Sequence, residues 1–261
     1  MIAEQRRKFE QDYLRIRRAE GRGSDEQEHY LALPFRDLSG NLSAQWAMRG
    51  RTWKYFESRI LKRIARWRVL DILDLGAGCG WTSYRLALAG HRVSAVDVLT
   101  DGREGLGAAR HYLDRASFAR FNADFDHLPF AGARFDLAVF NASLHYSSDY
   151  ARTLTEVKRC LRAAGRIVIL DSPVYRLREH GEMMRRERRR EFLAKYGTES
   201  DHIGSIEYLD LESIAALRGL GIEWHIHKPW YGIRWHSRPF KAWWTRARPP
   251  SRFWILEGTI A

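Results

Sequence analysis

Cysteine is scarce in this chain: 261 residues hold two, Cys79 and Cys160. They fall in different local elements and form no metal-type pair, which excludes a disulfide framework and leaves free thiols. His225 and His227 alternate along one segment, so both rings share a face, but no third ligand lies nearby and no metal is expected. Long apolar runs are also missing. None approaches the eighteen or so residues that span a bilayer, and residues 1–22 mix charges without a signal peptide's apolar core, so the expected location is cytoplasmic. Internal repeats and low-complexity tracts are absent. Acid is in short supply, with 32 Asp and Glu against 44 Lys and Arg and a net charge of +12. Such a balance suits nucleic acid, an anionic membrane surface or an acidic substrate, and equally a solvated surface, because arginines alternate with acids over residues 185–191.

What is present is enough for one α/β core, at 45% hydrophobic residues. Residues 70–81, Leu-Asp-Ile-Leu-Asp-Leu-Gly-Ala-Gly-Cys-Gly-Trp, form an apolar run that breaks into alternating glycines. This reads as a buried parallel strand that turns beneath a ligand and starts a helix, since glycine lets backbone approach a nucleoside with no Cβ in the way. Gly76, Gly78 and Gly80 make GxGxG, whereas the dinucleotide fingerprint is GxGxxG. About twenty residues on, a second strand ends at Asp97, placed to accept both ribose hydroxyls. Further strands cover 118–122, 135–141, 166–171, 222–228 and 253–259, with helices at 81–89, from 98 to about 113, 149–161 and 210–220. Repeated βα units imply a parallel sheet with right-handed crossovers and ligands beyond the strands' carboxyl ends.

This ordered set, with Asn122-Ala-Asp-Phe-Asp-His-Leu-Pro-Phe130 and Phe135-Asp-Leu-Ala-Val-Phe-Asn141, resembles the class I S-adenosylmethionine (SAM) methyltransferases. The small-molecule branch that includes the quinone-biosynthesis methyltransferases is most similar, over roughly residues 68–171. The resemblance implies a Rossmann-like α/β fold: a mostly parallel seven-stranded sheet, an antiparallel last strand and helices on both faces. It implies SAM as cofactor, with the glycine loop on its methionine part and Asp97 on the ribose. Asp124 would take the adenine amino group with Phe125 beside the ring, Asn141 would offer backbone to the ammonium, and Asp74 would orient the loop or reach the ammonium through water. Arg49 and Arg51 could pair with the SAM carboxylate. The family's Pro-Gly-Gly turn is here Ala163-Ala164-Gly165.

Residues 1–67 read as a helical extension capping the active site of the 68–261 domain. Phe9, Tyr13 and Ile16 mark an amphipathic helix over 3–20, and Trp53, Phe56, Ile60, Ile64 and Trp67 mark an apolar stripe on a helix over 43–67. Insertions are expected at about 172–207, with a charged helix over 178–195 that is placed to act as a lid or to prop against the domain, and at 229–252. The second interleaves tryptophans with six Arg or Lys and no acid, which suits a membrane interface, a nucleic acid or an apolar pocket with a cationic rim. Peripheral membrane contact through it is one expectation.

Methyl transfer from a sulfonium needs mainly an in-line arrangement of nucleophile, methyl carbon and sulfur. His145, just past the fourth strand, is a candidate base or pocket wall. Tyr146, Tyr175, Trp230 and Tyr231 are expected to line one cavity for a small, aromatic or lipid-like acceptor. A nucleic-acid methyltransferase is the competing enzyme, but the segment after the fourth strand, Asn141-Ala-Ser-Leu144, lacks the Asn/Asp-Pro-Pro-Tyr/Phe tetrad of base-amino methylases. A nicotinamide oxidoreductase conflicts with GxGxG, and a non-catalytic SAM-binding subunit carries the same motifs as an enzyme.

Overall fold

The structure, a computed structural model, describes residues 2–198 and 204–260. Residues 199–203 of the expected 172–207 insertion lie outside the described residues, as do the two terminal ones. The helices are α1 (Ile2–Ala19), α2 (Gln27–Ala32), α3 (Ser43–Tyr55), α4 (Lys62–Ala65), α5 (Trp81–Leu88), α6 (Tyr150–Cys160), α7 (Arg178–Tyr196), α8 (Leu211–Ala216), α9 (Ile233–His236) and α10 (Arg238–Trp244). The strands are β1 (Asp71–Leu75), β2 (Arg92–Asp97), β3 (Ala119–Asn122), β4 (Phe135–Asn141), β5 (Leu161–Leu170), β6 (Val174–Tyr175), β7 (Leu209–Asp210), β8 (Ile222–His227) and β9 (Ile255–Ile260).

Seven strands form one sheet in the order β3-β2-β1-β4-β5-β9-β8, and β6 and β7 form a small second one. The first five run parallel, while β9 is antiparallel to both β5 and β8. The central strands are buried on both faces, so their sequences are continuous apolar runs divided between two cores with a period of two. Ile72, Leu137, Val139, Val168 and Leu170 face Trp53, Phe56 and Ile60 of the N-terminal region. Leu73, Leu75, Ala138, Phe140, Ile167 and Ile169 face the α6 and α8 side, where Leu154, Val157 and Ile214 pack.

The N-terminal region is tied to the glycine-loop helix. Trp53 meets Trp81 edge-on with ring centroids 5.5 Å apart, and Arg85 Nη2 donates to the carbonyls of Leu31 and Leu33 at 2.7 and 2.6 Å. α3 continues through a π-helical turn, Phe56–Leu61, into α4. That turn rotates the residues beyond it, because an extra residue per turn shifts the register of the apolar stripe. Arg66 and Trp67 then take left-handed backbone, and Trp67 points into solvent, so the expected stripe ends before it. The helix expected after β2 is only a 3₁₀ turn, Leu106–His111. Three glycines at 102, 105 and 107 disfavour an α-helix there, and a Cβ on Gly105 would lie 2.6 Å from the Leu99 carbonyl oxygen.

Candidate cofactor and acceptor site

β1 ends in a turn whose backbone passes hard against its neighbours. Gly76 has φ +69°, and a Cβ on it would lie 2.4 Å from Ser143 Cβ, so nothing larger fits. Its N–H and that of Ala77 both donate to the Val96 carbonyl, at 2.9 and 3.0 Å, anchoring the turn to β2. Gly78 differs: it has φ +53°, but its Cβ would meet only the Glu104 carbonyl oxygen at 3.5 Å, leaving open space above it. Asp97, at the end of β2, accepts from the Gly78 N–H at 2.7 Å and from the Leu99 N–H at 2.8 Å. It therefore splints the loop.

A cavity of about 90 Å³ lies over this loop. Its floor is Gly76 to Cys79 and Asn141, and its walls include Tyr13 and Arg17 of α1 and Arg49 of α3. Asn141 donates through Nδ2 to Thr82 Oγ1 at 2.7 Å, while its Oδ1 is buried without a hydrogen-bond partner. Beneath the loop, Asp74 is fully buried and accepts from Ser83 Oγ at 2.6 Å through one oxygen, the other having no partner. Burial, only partly offset by the Ser83 bond, pushes its carboxyl up to about 7. Burial also pushes the Cys79 thiol up to about 12, keeping it protonated and unreactive.

Past β3, Asp124 Oδ1 accepts from the Asp126 N–H at 2.9 Å, an Asx-type turn, and the Phe125 ring packs edge-on to Phe140 at 6.0 Å. Asp97, Asp124 and Asn141 thus stand at the carboxyl ends of β2, β3 and β4, along one edge with the glycine loop. Arg49 and Arg51 part company. Residues two apart on a helix point about 200° apart, and while Arg49 lines the cavity over the Trp46 ring at 5.0 Å, the exposed Arg51 reaches away to the Tyr231 carbonyl. Arg49 is held below the ordinary arginine range by burial, partly countered by Asp171.

Sequence reasoning missed other cavity residues. Glu104, raised by burial against the pull of Arg17, Arg22 and Arg49, lines the wall, with Arg17 Nε 3.9 Å from its Oε2. Tyr13 and Arg17 stand four apart on α1, and Arg17 Nη2 donates to Tyr13 Oη at 2.6 Å. The i, i+4 spacing on the amphipathic helix was a usable signal; Glu104, in a glycine-rich loop, gave none.

The acceptor residues do not converge as expected. Tyr146 packs on α1, its ring 6.2 Å from Phe9 and 6.1 Å from Tyr13. Tyr175 Oη accepts from Arg248 Nη1 at 2.9 Å, among the 229–252 residues. Tyr231 donates to the Phe253 carbonyl at 2.7 Å and lies 3.0 Å from Thr52 Oγ1, which donates to Asp171 at 2.7 Å. Trp230 is 64% exposed, stacked on His236 with centroids 4.0 Å apart. Tyr146 thus packs under α1, Tyr175 and Trp230 are engaged by the 229–252 segment and Tyr231 by Thr52 and Phe253, and none of the four lines the cavity over the glycine loop. His145 Nδ1 sits 3.3 Å from Ser172 Oγ. Burial, with Arg188, Arg49 and Arg17 adding to it, lowers the imidazole to about 3, so the ring stays neutral at physiological pH. Among the described residues no group of three His, Cys, Asp or Glu could hold a metal ion.

Asn141's unpartnered oxygen, the open space above Gly78 and the cation Arg49 fit a ligand with ammonium, carboxylate and nucleoside parts. Residues 73–169 match the family model described as a methyltransferase domain. A malonyl-[acyl-carrier protein] O-methyltransferase of Erwinia pyrifoliae is 31% identical over 110 residues, 42% of this chain and 40% of that protein. A demethylmenaquinone methyltransferase of Thermobifida fusca is 35% identical over 104 residues, 38% of this chain and 42% of that protein. The chain thus spans about two-fifths of the length of these curated relatives. Among solved structures, a SAM-dependent methyltransferase of Mesorhizobium loti shares the fold with a TM-score of 0.56 at 20% identity, over 83% of this chain and 98% of that one. Residues 73–169 thus match a methyltransferase domain, and the chain shares the fold of a SAM-dependent methyltransferase.

Proposed function

We propose that this protein transfers a methyl group from SAM to a small, aromatic or lipid-like acceptor. The observation that carries this reading is the cavity shared by the Gly76–Gly78 turn, Asn141 and Arg49, with the Asn141 oxygen buried and unpartnered beside it. When bound, SAM supplies the activated methyl group. Arg49 holds its carboxylate, the Asn141 oxygen and the backbone around it accept from its ammonium, and the glycine loop lets the chain run beneath the amino-acid part. A cavity of 90 Å³ is small against the roughly 300–1,000 Å³ of ligand pockets, and Asp97 and Asp124 at the neighbouring strand ends are the residues that would hold the nucleoside.

Residues 1–67 serve as the cap of the 68–261 domain; Tyr13 and Arg17 at the cavity wall support this. The packing of Phe9 and Tyr13 on Tyr146 supports an acceptor held under α1. His145, with its depressed basicity, acts as a neutral wall that fixes Tyr146 and Ser172, because an efficient base at neutral pH needs a pKa near 7. Positioning and exclusion of water then carry the chemistry. The malonyl-carrier and demethylmenaquinone enzymes both lend weight to a carboxyl-bearing or quinone-like small acceptor. A lipid-like acceptor also gives the 229–252 insert a role at a membrane surface, although no described helix is long and apolar enough to cross one.

Incubating the protein with cell extract and isotopically labelled SAM, then reading the products by mass spectrometry, tests this. A labelled small molecule that depends on the protein supports it. Label confined to RNA would favour the nucleic-acid reading, and SAM binding without any labelled product would favour a non-catalytic subunit.

A further inference from the structure

The hairpin between β8 and β9 is long and leaves the same edge of the sheet as the cavity. β8 runs parallel to β5, since each is antiparallel to β9, so both His227 and Ile255 lie at the carboxyl edge. Between them the chain forms two short helices, α9 and α10, and its base is pinned by the pairing of Arg252 with Val174. On this projection Ile233, Phe240, Trp243 and Trp244 are 79, 66, 71 and 74% exposed. The last three form one aromatic surface, with centroids 5.9 Å apart for Phe240 and Trp243 and 6.5 Å for Trp243 and Trp244. Apolar side chains this large are seldom left bare in a group.

We infer that this projection docks on an anionic membrane surface, inserting Phe240, Trp243 and Trp244 at the headgroup boundary while its cations meet lipid phosphates. Charge selects the occupant: residues 229–252 hold six Arg or Lys and no acid, and although Arg248 pairs with Glu187, Arg234, Lys241 and Arg246 are exposed. Lys241 and Arg246 flank the aromatic surface. Tryptophan favours the membrane interface, and an amphipathic segment with cations beside its apolar face lies in that plane. Ile233 argues for lipid over RNA, because an aliphatic side chain offers no face on which a base could stack. Docking in this pose turns the carboxyl edge of the sheet, and with it the cavity, toward the bilayer. That orientation rests on the methyltransferase reading, whereas the docking does not.

Vesicle sedimentation with the full chain tests the inference. We expect co-sedimentation with vesicles of phosphatidylcholine containing 30% phosphatidylglycerol, at least tenfold weaker partitioning onto pure phosphatidylcholine, and quenching of tryptophan fluorescence by lipids brominated high on the acyl chain. The triple variant Phe240→Ser, Trp243→Ser, Trp244→Ser should lose at least tenfold in partitioning and most of the quenching. Its circular dichroism spectrum and melting temperature should match those of the unaltered chain, which certifies the fold and keeps this test separate from that of the cofactor site. Equal binding of variant and unaltered chain, or no vesicle binding at all, would overturn the inference. So would single-stranded RNA bound more tightly than the anionic vesicles and weakened by the same variant, or a dimer seen by ultracentrifugation that the variant abolishes.

Discussion

The two sides of the cleft are made of different material. The cofactor side rests on the ends of β1, β2 and β4, strands buried on both faces, and its polar groups are tied to that frame: Asp97 to the loop N–H groups, Asn141 to Thr82, Asp74 to Ser83. The side proposed for the acceptor is assembled from α1, the turn at His145 and the described parts of the 172–207 and 229–252 segments, elements distant in sequence that meet through aromatic edges and arginines. The first arrangement is specified locally and fixes a common ligand. The second is specified by tertiary contacts, and on the reading proposed above it would set acceptor choice, as specificity generally sits on loops over a rigid scaffold.

The sharpest way to break this comparison is a side chain in the cofactor frame. Gly78→Val should lower SAM affinity at least a hundredfold, because the branched side chain fills the space over the loop. Its left-handed backbone adds strain of roughly 1–2 kcal/mol, so the melting temperature should fall by only a few degrees. Gly76→Val, by contrast, should fail to fold, since even its Cβ collides with Ser143. Unchanged SAM affinity in a folded Gly78→Val protein would remove the cofactor side from its assigned place. Asp97→Ala should weaken SAM by about 1.5–3 kcal/mol, the scale of a lost charge-assisted hydrogen bond. The bonds to Gly78 and Leu99 add a second effect, a loss of ligand-free stability by about 1–3 kcal/mol as two N–H groups lose their acceptor. Calorimetry and thermal melts separate the two.

Asp74 sharpens the frame through pH. Its folded carboxyl titrates near 7 and its unfolded one near the usual value of about 4. The folded state therefore binds more protons between those limits, and stability declines as pH rises through that window. Asp74→Asn, which mimics the protonated form, should flatten that decline by up to about 1.4 kcal/mol per pH unit in denaturant melts at pH 4 to 7. An unaltered slope would mean that Asp74 titrates elsewhere. Arg49→Gln should weaken SAM about tenfold while leaving 5′-methylthioadenosine, which lacks the carboxylate, unaffected; equal weakening of both would place Arg49 off the carboxylate. The smallest effect is expected on the acceptor side. His145→Gln should change turnover less than about threefold, evenly across pH 6 to 8, and a hundredfold loss at neutral pH would restore it as the base.

These contrasts follow how each side is written in the sequence. Strand ends, glycine turns and the acid about twenty residues on have short-range physical causes: two-sided burial, positive φ and a buried turn that needs an acceptor. They were legible, whereas the antiparallel last strand was implied by the family resemblance and the strand order emerges only in the structure. Arg49 was legible only as one of a pair, since choosing it over Arg51 requires the phase of α3 against the sheet. Trp67 was misjudged because a π-helical turn is invisible in an apolar stripe. Glu104 and the scattering of Tyr175, Trp230 and Tyr231 depend on where loops are carried by contacts far along the chain, and no local pattern encodes that.

A calorimetric titration of the unaltered chain with SAM, beside one with NADH, tests most directly whether the cleft at the carboxyl edge is a SAM site. Saturable binding of SAM at one site per chain, with no heat from NADH beyond dilution, is the predicted result; binding of NADH, or no binding of SAM, would contradict it.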